Sequence, residues 1–115
     1  IPPEGSKYAR DDVFANIEES CMEMLSKTDH VILMGDFNAR TDTLCDYIVL
    51  DTFVADELDL KNSDFAQELD SEHILESCNL PFNRSSRDTG RVNGFGHKLL
   101  SVCKHLNMII CNGRV

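Results

Sequence analysis

The sequence predicts an α/β domain, in which helix and strand patterns alternate along one chain. Two observations carry this. A helical stripe, Val13, Ile17, Cys21 and Met24, precedes a short apolar run, Val31-Ile32-Leu33-Met34. A second stripe, Leu99, Leu100, Cys103 and Leu106, precedes a second run, Met108-Ile109-Ile110-Cys111. Each run is too short for a helix and is followed by turn residues, the pattern of a buried strand.

The elements follow in order. Ile1-Pro2-Pro3 is extended, because proline fixes φ and restricts the residue before it. Gly5 and Ser6 turn the chain into a helix from about Lys7 to Ser26, whose stripe is widened by Phe14 and Leu25. Glu18, Glu19 and Glu23 lie opposite, and Asp11 and Asp12 suit a first turn, where carboxylates meet the positive end of the helix dipole. Lys27-Thr28-Asp29 ends the helix and His30 to Met34 forms the first strand. Gly35-Asp36-Phe37-Asn38 sits where that strand gives way to a polar loop, Ala39 to Asp46. Tyr47 to Val54 is irregular or a short strand. The acidic stretch from Asp56 to Glu76 is a solvated surface with room for one or two short helices around Phe65, Leu69 and Ile74. Leu80 to Arg91 is a long polar loop. Asn93 caps a helix from about Phe95 to Leu106, Asn107 stops it, and Met108 to Cys111 forms the second strand.

The 115 residues suffice for one domain with a core, and no apolar run approaches the ~20 residues of a membrane span. The chain opens without Met and stops just after the second apolar run, so both ends read as cut from a longer polypeptide. Cys21, Cys45, Cys78, Cys103 and Cys111 are odd in number and form no CxxC pair, which points to free thiols in a reducing compartment. The net charge of −9 argues against a uniformly basic nucleic-acid binder. The charge is uneven, however: Asp51 to Glu76 is acidic, whereas Arg84, Arg87 and Arg91 follow within one loop.

The chemistry is concentrated at Asp36 and Asn38. An acceptor and an amide two residues apart can hold one water or one phosphate oxygen between them. That suits hydrolysis of a phosphate ester, which needs a base for water, a divalent ion and donors to the phosphate. The commoner use of such a quartet is a turn capped by its own Asp.

The run Val31 to Arg40, with its Gly35-Asp36-Phe37-Asn38 centre, resembles the central motif of the endonuclease/exonuclease/phosphatase family, the DNase I-like fold. More narrowly it resembles the endonuclease domains of non-LTR retrotransposons, as do Leu99 to Cys103 and Leu106 to Arg114. The resemblance covers most of the chain except roughly Asp51 to Asn79, a divergent acidic insert. It implies that residues 1–115 are the central fragment of one domain, part of a four-layer α/β/β/α sandwich. It further implies Mg²⁺- or Mn²⁺-dependent cleavage of DNA by activated water. Asp36 would activate the water or touch the metal indirectly, and Asn38 would hold the water or the scissile phosphate. Arg40, Arg87 and Asn93 would contact the nucleic acid. The implied partners are DNA and the rest of the parent polypeptide, including a reverse transcriptase, in the nucleus and away from membranes. The family's metal-binding Glu and its terminal Ser-Asp-His have no counterpart here; His30, His73, His97 and His105 stand in other contexts. The isolated segment is therefore expected to be inactive, and with half a sandwich uncovered, only marginally stable. A phosphatase or phosphodiesterase of the same family acting on a small phosphorylated substrate, and a non-catalytic retroelement remnant, are the alternatives.

Overall fold

The computed structural model describes residues 1–48, 71–86 and 90–114. Among them three helices form: α1, Val13–Leu25; α2, Ser71–Ser77; and α3, Gly94–Leu106.

Helix α1 starts six residues later than its periodicity suggests. Gly5 takes a φ of 79°, and two tight turns, Ser6 N–H to Pro3 O and Ala9 N–H to Ser6 O, use backbone groups that a longer helix would need. Asp12 stands at the N-cap without a side-chain bond to the helix. Helix α3 has stronger boundaries. The Asn93 side chain accepts the Gly96 N–H at 2.8 Å, and Asn107 turns left-handed at φ 54°, so that Met108 N–H closes on Cys103 O at 2.9 Å. Asn tolerates this conformation better than other residues with a Cβ. Helix α2 ends in the same way at Asn79, with Leu80 N–H on Leu75 O at 2.8 Å.

Helices α1 and α3 pack together. The Phe14 and Phe95 rings meet edge to face at 5.1 Å and 65°, and with Val102 they form a buried core. Each ring contributes on the order of 2–3 kcal/mol by leaving water. Ala9, Phe37, Ala39 and Leu99 pack around it. Lys98 Nζ donates to Asp11 O at 3.3 Å and His105 Nδ1 meets the Glu18 carboxylate at 2.8 Å. Asp11 therefore lies by Lys98 and Glu18 by His105, so the two helices run in the same direction.

The expected α/β sheet, part of a four-layer sandwich, does not form: the described residues contain three helices and no strand. The two apolar runs show why composition misleads here. Val31 and Leu33 are half-buried while Ile32 and Met34 are 84% and 85% exposed, an alternation suited to extended chain. Among the described residues, however, no backbone hydrogen bond reaches 31–34. In the second run the backbone groups are used elsewhere. Met108 N–H closes α3, Ile110 N–H goes to the Asp46 carboxylate at 2.6 Å, and Ile110 O accepts from Arg114 at 2.7 Å. An apolar run specifies burial, but a strand also needs a neighbour whose polar backbone groups are free.

Candidate functional site

The Gly35–Asn38 turn is built by its own side chains. Asp36 Oδ1 accepts the Asn38 N–H at 3.0 Å, an Asx turn. Asn38 adopts a left-handed φ of 47°. Its Nδ2 donates to Ile1 O at 2.5 Å, and the Ile1 amino group donates to Asp36 O at 2.9 Å. Phe37 points inward to the α1–α3 core, which leaves Asp36 exposed on the other side.

Asn93 fastens this turn to α3. Its Oδ1 accepts from Arg40 N–H and Gly96 N–H, both at 2.8 Å, and its Nδ2 donates to Asn38 O at 3.0 Å. Asn93 N–H also donates to Arg40 O at 3.3 Å. The approach is so close that a Cβ at Gly96 would lie 1.9 Å from Arg40 O. The Arg40 guanidinium is equally tight over Gly90, where a Cβ would lie 2.2 Å from Nη1. The structure thus brings together Asp36, Asn38, Arg40 and Asn93. Arg87 lies outside the described residues.

These four residues line an open cleft of about 1910 Å³. Val31, Leu33, Leu99, Val102, Leu106 and Ile109 give it apolar walls. Small-molecule pockets run to roughly 300–1,000 Å³, so this open groove has room for a polymer or a covering polypeptide as well as for a smaller ligand. Among the described residues no three His, Cys, Asp or Glu side chains come together as a possible metal site. Of the four motif residues brought together only Asp36 carries a carboxylate, so a Mg²⁺ or Mn²⁺ of the kind the resemblance implies would need further ligands beside it. What the turn offers by itself is a solvent-facing carboxylate with one oxygen fixed by an N–H.

Among the described residues the most buried charged side chain lies outside the motif. Asp46 is 0% exposed and receives Arg114 Nη1 and Nη2 at 2.8 Å each. Arg114 also donates to Pro81 O, Phe82 O and Ile110 O at 2.7 to 2.9 Å. Burial pushes the Asp46 carboxyl up, but the Arg114 hydrogen bond, the Ile110 N–H and the Arg114 charge outweigh it and hold the group below its ordinary 3.8. Arg84, also buried, donates to Thr41 Oγ1 at 3.0 Å and to Leu44 O at 2.7 Å. Sequence reasoning placed Asp46 at the end of a polar loop and Arg84 in a basic one, and periodicity carries no signal for an ion pair 68 residues apart. Cys103 borders this region, and burial pushes its thiol up to about 11.

All five cysteines are free; Cys21 and Cys103 are buried and the other three exposed. Among the described residues no helix is long and apolar enough to cross a membrane. No family model matches the chain, and neither a curated protein nor a solved structure does.

Proposed function

We propose that the Gly35–Asn38 turn is the water- and phosphate-facing element of a metal-dependent endonuclease acting on DNA. The groups it lacks would be supplied by polypeptide other than the described residues. The observation that carries this is the exposed Asp36 carboxylate in a cleft with room for a polymer, with Arg40 lining the same cleft. Within this proposal Mg²⁺ or Mn²⁺ would bind with ligands from elsewhere, Asp36 would orient or deprotonate the attacking water, and the site of action would be nuclear. Reverse transcription by a further domain of the same polypeptide belongs to the same reading.

One observation favours a non-catalytic remnant instead. The Asn38 amide is engaged by Ile1 and the Asn93 amide by three backbone groups, so both have structural work that needs no substrate. Nicking of supercoiled DNA with Mg²⁺ by the parent polypeptide separates the two. The nuclease reading expects nicking that D36A abolishes, while the 115-residue chain alone is inactive. Nicking that survives D36A, or an intact parent that does not nick, defeats it.

A further inference from the structure

The run Val31 to Met34 lines the open cleft, yet its backbone N–H and C=O groups, and those of Gly35, carry no hydrogen bond among the described residues. The engaged groups stand just outside it: His30 N–H donates to Thr28 Oγ1 at 3.3 Å, and Asp36 O accepts from the Ile1 amino group at 2.9 Å. The side chains alternate. His30, Ile32, Met34 and Asp36 are exposed, while Val31 and Leu33 are half-buried. An extended segment with free backbone groups and an exposed apolar face is a template for strand addition.

We propose that this segment is a homodimer interface, in which Val31 to Gly35 pairs antiparallel with the same segment of a second copy about a two-fold axis at Leu33. The sequence is close to self-complementary in that register. Residues directly opposite in an antiparallel pair project to the same side of the ribbon. Ile32 then meets Met34 of the second copy, so side chains that are 84% and 85% exposed cover each other. His30 meets Asp36 of the second copy at each end of the same face, an imidazole against a carboxylate. Leu33 lies opposite Leu33, and Val31 opposite Gly35, on the other face. A slip of one residue would join the exposed face of one copy to the half-buried face of the other, and would set Asp29 against Asp36. The backbone favours the same register. With Leu33 at a hydrogen-bonded site, Leu33 exchanges both bonds with its counterpart and Val31 exchanges both with Gly35, which uses free groups alone. His30 N–H and Asp36 O fall at non-bonded sites and keep the partners they have. Those sites also bring side chains closest, at the Ile32–Met34 and His30–Asp36 pairs. A ribbon of one short segment falls below the ~1,200 Å² of stable complexes, and each copy carries a net charge of −9, so the dimer is weak.

The test is sedimentation velocity of the full 115-residue chain from about 1 µM to about 500 µM, a range that brackets a weak dimer. The expected result is a shift from monomer to dimer, with no larger species. Amide deuterium exchange should slow with concentration at Val31, Leu33 and Gly35 but not at Ile32 and Met34. M34E sets a charge against Ile32 and should weaken dimerisation about tenfold or more. H30E, which faces Asp36 of the second copy, should weaken it too, and H30K should strengthen it. M22E, on an exposed position of α1, should leave it unchanged. If a variant fails to keep its helical CD, the wild-type exchange pattern decides alone. A monomer at every concentration would leave the run to a strand from another polypeptide and overturn the proposal. Protection at Ile32 and Met34 instead, equal weakening by M22E, or the same response to H30E and H30K would each overturn it as well.

Discussion

Replacing Arg114 with Met should both destabilise the chain and change the way Asp46 responds to pH. The substitution keeps an unbranched side chain in place but removes five hydrogen bonds and the positive charge beside a carboxylate that is 0% exposed. Breaking one side of a buried pair costs about 3–5 kcal/mol, a large share of the ~5–15 kcal/mol that holds a domain together. With a urea m-value of about 1.5 kcal/mol/M, the midpoint should fall by roughly 2–3 M. The measurement is loss of helical CD in urea, with TMAO present for both proteins to keep the variant's baseline accessible. In the wild type the Asp46 pKa is depressed. Its contribution is complete above 3.8 and is lost as pH falls through the folded value. In R114M the Ile110 N–H and Arg84, 4.0 Å away, still hold the carboxylate, but without Arg114 burial acts with less opposition and raises that pKa above its wild-type value, so the penalty at neutral pH is relieved as pH falls. The gap between the two proteins should therefore narrow as pH falls from neutral towards 3.8. A midpoint within about 0.5 M of wild type, or a gap that stays constant over that range, would refute the buried-pair reasoning.

Other outcomes follow from the same contacts. G96A forces a Cβ onto Arg40 O and should cost more than about 3 kcal/mol in urea unfolding, whereas G35A meets no neighbouring atom but must hold a φ of 155° and should cost about 1–3 kcal/mol. N93A removes a helix cap and two links to the Asn38–Arg40 segment, for about 2–3 kcal/mol; N93D keeps both acceptor bonds and should recover part of it. With its thiol raised to about 11 from an ordinary 9.0, Cys103 contributes stability that is full below 9.0 and lost as pH rises towards 11, by about 2–3 kcal/mol; in C103A the Tm should fall less over that range. Thiol labelling of the native chain should modify Cys45, Cys78 and Cys111 quickly, and Cys21 and Cys103 only on unfolding. Ile32 and Met34 are more than four-fifths exposed, so I32E/M34E should reduce aggregation in light scattering without lowering Tm.

What could be read from the sequence was local. The stop at Asn107 and the cap at Asn93 depend on one side chain and the next few backbone groups, and both form as their residue types predict. The stripe on α3 places Leu100 and Cys103 inside as its spacing requires. The stripe on α1 is right at Cys21 but not at Met24, which is 53% exposed, because only the part of α1 facing α3 has something to pack against. The same limit governs the motif. Adjacent residue types announce the Asx turn at Asp36, but the Asn93 fastening joins positions more than fifty residues apart, and no spacing rule reaches that far.

The missing sheet and the unnoticed ion pair have one cause. The sequence presents Met108 to Cys111 as a strand because it is apolar and short, places Asp46 at the end of a polar loop, and puts Arg114 just past the apolar run. In the structure the charged residues enter the interior and take the backbone groups a strand would have offered: Asp46 receives Ile110 N–H and Arg114 donates to Ile110 O. A carboxylate and a guanidinium together can satisfy both edges of a residue whose neighbours are side chains. Buried charge here substitutes for strand pairing, and it does so at the segment next to the cleft. Any partner that pairs with the Ile110 backbone must first displace Asp46 and Arg114 from it, at the cost of separating two buried charges. Val31 to Met34 carries no such block among the described residues, so of the two apolar runs it is the one open to pairing.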